Sequence, residues 1–159
     1  MIEGIDVIRL LHVLGACVLI GTGAGIAFFM VMAHRTKDPA SITHTAAIVV
    51  IADMLFTATA AIAQPITGVV LAFDLGWPLL EGWLAVSLGL YVFIGLFWLP
   101  VVWIQAKMRD EARQSAQTGR PLTPRYMRLY RIWFACGFPA FIAIIALLWL
   151  MIVRPVIAF

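Results

Sequence analysis

Five hydrogen-bonding side chains interrupt an otherwise apolar stretch, VVIADMLFTATAAIAQPITG, at residues 49–68. At about 100° per residue, most of them fall on one side of a helix, in a stripe about 20 Å long. The stripe consists of Asp53, Thr57, Ala60, Gln64, Thr67 and Gly68. An aspartate in such a place either joins helices through hydrogen bonds or belongs to a proton path, an ion path or a ligand pocket.

The composition assigns the chain to the integral membrane proteins. Of its 159 residues, 64% are hydrophobic and 12% are charged, and the mean hydropathy is +1.02. Four apolar segments are long enough to cross a bilayer, which takes about 20 residues each, at 6–33, 45–73, 82–105 and 131–154. The sequence therefore predicts an all-α fold, an integral membrane four-helix bundle in one domain over residues 1–159, with cytoplasmic loops at 34–44 and 106–130.

The distribution of Lys and Arg predicts the orientation, because loops that carry them stay on the cytoplasmic side. Both long loops are basic, whereas the 74–82 connection holds only the acidic residues Asp74 and Glu81. This pattern places both termini on the outer (periplasmic) side of a bacterial inner (plasma) membrane. The net charge of +3 is then a topology signal that also touches anionic headgroups of the lipid bilayer, and nucleic acid is not an expected partner.

Polar groups that faced lipid would be costly, so the polar stripes are expected to converge inside the bundle. Asp53 is expected near the bilayer midplane, with Thr22, Thr57, Tyr91, backbone N–H groups or water as candidate donors. Proline inside a span frees the carbonyl four residues earlier and bends the helix, which applies to Pro65, Pro100 and Pro139. The other two polar faces consist of His12, Gly15, Ala16, Gly23, Ala27 and His34 in the first span, and of Ser87, Tyr91 and Trp98 in the third.

His12, in RLLHVLGA, is the candidate ligand of a cofactor. An imidazole in a membrane helix serves core hydrogen bonding, metal ligation or axial ligation of haem. Small neighbours make room for a porphyrin, as in helix-bundle sites for haem b, although a lone helix histidine is commonly a satisfied core residue. Met151 lies at a similar depth and is the candidate second ligand. A five-coordinate iron or a ligand from another subunit is the alternative.

A copper site near the cytoplasmic end is a further alternative, because thioether and imidazole groups suit copper. Its ligands would be Met30, Met32, His34 and His44. The methionines are also ordinary packing residues, and both histidines are also ordinary interfacial residues. Cys17 and Cys136 lie on different helices at different depths, so no disulfide is expected between them.

Three runs resemble a known family: 53-DMLFTATAAIAQPITG-68, WLPVVWIQAKMR at 98–109, and RIWFACGFPAF…LLWLMIVRP at 131–155. The family is an uncharacterised group of bacterial predicted integral membrane proteins with a domain of unknown function, so the resemblance implies topology rather than chemistry. More distantly, RLLHVLGA is similar to the histidine-bearing first helix of the membrane protoporphyrinogen oxidase family and of the copper-resistance membrane proteins. In the oxidase family that histidine binds haem b, which implies the same role for His12. That family also uses a lysine within a later helix, which no predicted span here contains.

Three functional hypotheses follow. The leading one is an inner-membrane protein that binds b-type haem through His12 for electron transfer or haem-linked redox chemistry, alone or as a subunit of a larger complex. The second is a cofactor-free structural or assembly protein, in which Asp53→Asn should leave function intact. The third is a small carrier or proton pathway that uses Asp53, Gln64 and Tyr91; four helices are few for this task, so it predicts a homo-oligomer.

Overall fold

The computed structural model describes residues 4–80 and 82–157, and the regular structure of these residues is helical. Four of its helices are long and apolar enough to cross a membrane, which confirms the predicted all-α membrane fold. The second span, Pro39–Asp74, is one continuous helix with a π-helical turn inside it. The elements in chain order are α1 (Gly4–Thr36), α2 (Pro39–Ala52), the π-helical turn (Asp53–Thr57), α3 (Ala58–Asp74), α4 (Gly82–Thr118) and α5 (Pro124–Val153).

Two ends of the bundle are named from here on. The basic end holds the ends of α1 and α4 and the starts of α2 and α5. The terminal end holds the starts of α1 and α4 and the end of α5. Glu81, one of the two acids predicted for the 74–82 connection, lies outside the described residues.

The helices continue beyond the predicted spans, so the predicted loops at 34–44 and 106–130 are largely helical. Only residues 37–38 and 119–123 join helices at the basic end. Asp38 caps the start of α2 ahead of Pro39, and Thr123 caps the start of α5 ahead of Pro124. Gly119 follows α4 with a φ of +64°, a conformation that costs glycine little. The helix ends beyond the apolar segments carry polar side chains. The apolar residues therefore mark the part of each helix that can cross a membrane, and not the whole helix.

The apolar core is concentrated toward the basic end, where α2 packs on α4 and α4 packs on α5. Side chains with little or no exposure from all four spans meet there and exclude water. The members of this core are Ile26, Met30, Ala33, Ile42, Ala46, Val49, Ile104, Met108, Ala112, Tyr126, Leu129 and Trp133.

The terminal half is built differently. Here α3 packs on α1, whereas the backbone of α3 makes at most isolated close approaches to α4 or α5 among the described residues. The buried apolar side chains of this half are mostly small, as at Ala60, Ala72 and Ala143. The helix pair α1/α3 and the helix pair α4/α5 are therefore spaced apart, and long polar and aromatic side chains connect them.

Candidate functional site

Asp53 begins the π-helical turn Asp53–Thr57 of the second span. Such turns are rare and often lie at functional sites. The Asp53 side chain is only 3% exposed, in agreement with its predicted place inside the bundle. At that burial a carboxylate has to hold hydrogen-bond donors, because burying an unpaired charge is costly.

Two donors from α4 reach the Asp53 carboxylate. Trp98 Nε1 donates to Asp53 Oδ1 over 3.2 Å. The Gln105 amide, in the orientation that satisfies both of its groups, donates to Asp53 Oδ2 over 3.0 Å and accepts from Trp133 Nε1 over 3.1 Å. These four residues, termed the Asp53 cluster, connect the second, third and fourth spans through one chain of hydrogen bonds.

The two tryptophans fix the direction of every bond in the Asp53 cluster. An indole N–H donates and cannot accept, so the Gln105 oxygen has to face Trp133 and the Gln105 nitrogen has to face Asp53. Both Asp53 oxygens are therefore acceptors. A proton relay needs groups that accept and donate in turn, whereas donor-only indoles stand at both ends of this chain. The arrangement favours helix packing over proton transfer.

Neither Trp98 nor Gln105 was among the donors predicted for Asp53. Tyr91 bonds elsewhere, and Thr57 Oγ1 is buried without hydrogen-bond geometry to any described group, although it is close enough to the Asp53 carboxylate to interact with it. Gln105 was not among the predicted donors, because it stands at the end of an apolar run in α4. Its position two helical turns after Trp98 puts both on one face of α4, and this spacing is the signal that could have found it.

Within the second span, Pro39–Asp74, Asp53 lies nearer to the basic end than to the terminal end. Asp53 and Asp74 are separated by about 31 Å of helix at 1.5 Å per residue, roughly one full hydrocarbon thickness. Trp133, a member of the cluster, belongs to the core at the basic end.

A second polar contact joins α1 to α3 in the terminal half. His12 Nδ1 lies 2.8 Å from Thr67 Oγ1, and Gln64 Nε2 donates to the backbone oxygen of His12 over 2.7 Å. Thr67 is 8% exposed, and His12 is half-buried. These three residues are termed the His12 contact. Its members had been placed on two separate polar faces, and the structure brings those faces together.

The hydrogen bonds around Thr67 favour one tautomer of His12. Thr67 Oγ1 lies 2.8 Å from the carbonyl oxygen of Ala63, an acceptor to which its single hydroxyl proton can donate. Thr67 then accepts from His12, and Nδ1 is the protonated nitrogen. In this tautomer His12 Nε2 keeps its lone pair, and the ring also interacts with the backbone of Gln64.

Two glycines allow this close approach. A Cβ added to Gly15 would overlap the Nε2 atom of Gln64, and a Cβ added to Gly68 would lie 3.1 Å from His12 Cε1. Small residues permit such backbone proximity between membrane helices. Gly15 and Gly68 therefore set the spacing of α1 and α3 at the His12 contact.

Tyr91 connects the two helix pairs of the terminal half. Its hydroxyl donates to the backbone oxygen of Ala61, the carbonyl that Pro65 leaves without its helical partner. Asp53, Gln64 and Tyr91, the residues of the carrier hypothesis, thus engage three different sets of partners. They do not converge on one polar site.

Met151 and His12 lie near the terminal end, whereas α1 and α5 meet at the basic end. There the His34 ring stacks on Tyr130 with a centroid distance of 3.6 Å and lies within 3.4 Å of the Tyr126 hydroxyl. The structure therefore adds no support for Met151 as the second ligand, which stays a prediction.

The residues of the copper alternative are not gathered into one site. Met30 is fully buried in the core while Met32 is 44% exposed, so the two thioethers face different surroundings. His34 is engaged by the tyrosines, and His44 is exposed. Among residues 4–80 and 82–157, no group of three or more His, Cys, Asp or Glu side chains is arranged to hold a metal ion.

The match to a family of proteins extends over nearly all of this architecture. Residues 6–155 match the family described as "Predicted integral membrane protein (DUF2269)". The chain belongs to this family. The match covers the four spans, the Asp53 cluster and the His12 contact, and it confirms the resemblance of the three sequence runs. No curated protein and no solved structure matches the chain.

Proposed function

We propose that this member of the family is a multi-pass protein of the bacterial inner membrane that binds b-type haem through Nε2 of His12. It would serve electron transfer or haem-linked redox chemistry, alone or as a subunit of a larger complex. The observation that supports the proposal is the chain of hydrogen bonds from His12 Nδ1 through Thr67 to the Ala63 carbonyl.

The donor set fits a haem iron. Histidines that bind metals usually donate their other ring N–H to a fixed acceptor, which holds the ring and its tautomer. Thr67 is such an acceptor for His12, and the remaining nitrogen is the one with a free lone pair. One histidine suffices for an axial bond to haem, so the lack of a three-residue metal group among the described residues does not conflict with the proposal.

A flat apolar group at His12 would need space between the helices of the terminal half. The terminal half has small buried side chains and spaced helix pairs, and apolar helix faces exclude water. A bound haem supplies one-electron redox chemistry, whose potential depends on the axial ligand and its hydrogen bonds. In this chain, His12 would hold the iron, Thr67 would fix the imidazole, and Gln64 would anchor the α1 backbone beside it.

A visible absorption spectrum of protein expressed with ample haem tests the proposal. We expect a Soret band in the wild type, retention of the band in His44→Ala, and loss of the band in His12→Ala. His44 is exposed and near the basic end, so its substitution controls for adventitious haem on surface histidines. Size-exclusion elution in detergent verifies that each variant is folded. A wild type without a Soret band would refute haem binding.

A cofactor-free structural or assembly role is the second candidate. The Asp53 cluster favours it, because every polar group of its chain is satisfied by a neighbouring helix. Under this proposal, loss of the cluster destabilises the fold or an assembly, while the spectrum of the purified protein is featureless. The same spectrum therefore distinguishes the two candidates.

A further inference from the structure

A groove of about 580 Å³ runs along the start of α5 at the basic end. It combines two guanidinium groups with apolar side chains, and its lining residues are Pro124, Met127, Arg128, Arg131 and Ile132. We propose that this groove binds the phosphate of an anionic phospholipid, with an acyl chain along its apolar wall.

The charges of the groove are available to a ligand. Two other arginines at this end already pair with carboxylates, Arg109 with Asp110 at 2.8 Å and Arg125 with Glu111 at 3.4 Å. Arg128 and Arg131 form no ion pair with any carboxylate of the described residues. A guanidinium fork matches two phosphate oxygens at once, so two such groups one helical turn apart form a phosphate site.

The depth of the groove matches that of lipid headgroups. The contacts of Gln105 with Trp133 and of Glu111 with Arg125 set the antiparallel register of α4 and α5. In this register Arg128 and Arg131 lie opposite the turn of α4 that follows Trp103. Trp103 is 57% exposed, as expected of an aromatic residue at the membrane–water interface. The two arginines are therefore level with phosphates of the adjacent leaflet.

The apolar part of the groove distinguishes a lipid from free phosphate. Ile132 is 41% exposed and lies one residue farther into the membrane than Arg131, and Met127 is partly exposed beside Arg128. Inorganic phosphate would leave these side chains uncovered, whereas an acyl chain would cover them. All five lining residues belong to α5, and clusters of basic residues at the membrane surface attract anionic headgroups.

Lipid binding to the full chain, measured by native mass spectrometry or by thermal shift in nanodiscs, tests the site. The nanodiscs contain phosphatidylcholine, with or without a minor fraction of phosphatidylglycerol. We expect phosphatidylglycerol to bind and raise the melting temperature of the wild type. Arg128→Gln with Arg131→Gln should weaken this binding by about 25-fold, at about fivefold per arginine. The matched control, Arg113→Gln with Arg120→Gln, removes the same charge from exposed positions outside the groove and should retain the binding.

Three outcomes would overturn the proposal. The first is an equal loss in both double variants, which would show charge attraction without a site. The second is full competition by inorganic phosphate at matched ionic strength, which would identify a free-phosphate site. The third is unchanged binding in Arg128→Lys with Arg131→Lys, because a point charge lacks the planar fork. The melting temperature of each variant in nanodiscs of phosphatidylcholine alone shows whether the variant is folded. This control separates a loss of lipid binding from a loss of folding.

Discussion

The Tyr91 hydroxyl donates to the backbone oxygen of Ala61, the residue four positions before Pro65. Proline has no amide hydrogen, so the carbonyl of Ala61 has no partner within its own helix. In hydrocarbon no water replaces that partner. A side chain of α4 therefore completes the hydrogen bonding of α3, and the bond also joins the two helix pairs where their backbones are far apart.

This relationship predicts that Tyr91 and Pro65 are energetically coupled. Tyr91→Phe should lower the free energy of unfolding by about 0.5–2 kcal/mol, the range of hydrogen bonds between membrane helices. In a Pro65→Ala background the restored amide satisfies Ala61, and Tyr91→Phe should then cost much less. A double-mutant cycle by denaturant unfolding in detergent micelles measures the difference. Equal costs in both backgrounds would show that the tyrosine does not serve the freed carbonyl.

The hydrogen-bond directions in the Asp53 cluster predict that a substitution at Gln105 restores the stability lost on Asp53→Asn. The asparagine of Asp53→Asn has one acceptor oxygen, whereas Trp98 and Gln105 both donate to this side chain. One of these two contacts would therefore bring two donors together. The expected cost is about 1–3 kcal/mol of stability, whereas the sequence-based expectation for a packing role concerns function, which Asp53→Asn should leave intact. Adding Gln105→Glu turns that residue into an acceptor for both the asparagine amide and the Trp133 indole.

We therefore expect the double variant Asp53→Asn with Gln105→Glu to recover most of the stability lost in either single variant. Thermal unfolding of the four proteins in one detergent checks this. A double variant that loses the sum of both single costs would disprove the bond directions derived from the indoles.

Thr67 should control the chemistry of His12. Thr67→Val removes the acceptor of the Nδ1 proton at nearly constant volume, and Thr67→Ser retains it. If haem binds as proposed, Thr67→Val should weaken its binding by about 10-fold or more, as for other groups that orient a metal ligand, and Thr67→Ser should not. Haem titration followed at the Soret band measures both. Equal effects of Val and Ser would assign the change to packing rather than to the hydroxyl.

The cap of α2 predicts a pH dependence at the basic end. The Ser41 side chain and the backbone N–H groups of Ser41 and Ala40 hydrogen-bond Asp38 and hold its pKa below the ordinary value of 3.8. A depressed folded-state pKa means that the stabilisation is present above about pH 4 and is lost as the pH falls through the folded-state pKa. Asp38→Ala should flatten this part of the stability profile. Melting curves from pH 7 to pH 3 measure it, and an unchanged slope in Asp38→Ala would contradict the prediction.

Apolar segment length alone gave the fold class and the four spans, since a hydrocarbon layer requires helices of a minimum length and hydropathy. The helix ends were less predictable, because capped polar extensions such as 107–118 have no membrane signal. Periodicity also identified the polar face of the second span, since this pattern is local to one helix.

The partners across that face needed the tertiary structure. Asp53 bonds Trp98 and Gln105, His12 bonds Thr67, and Tyr91 bonds Ala61, because lateral packing and the relative height of neighbouring helices select each donor. The sequence by itself determined that these polar groups had to leave the lipid. Only the packed bundle decided which of them meet, since a hydrogen bond requires two atoms within about 3 Å and the periodicity of one helix does not specify its distance from another.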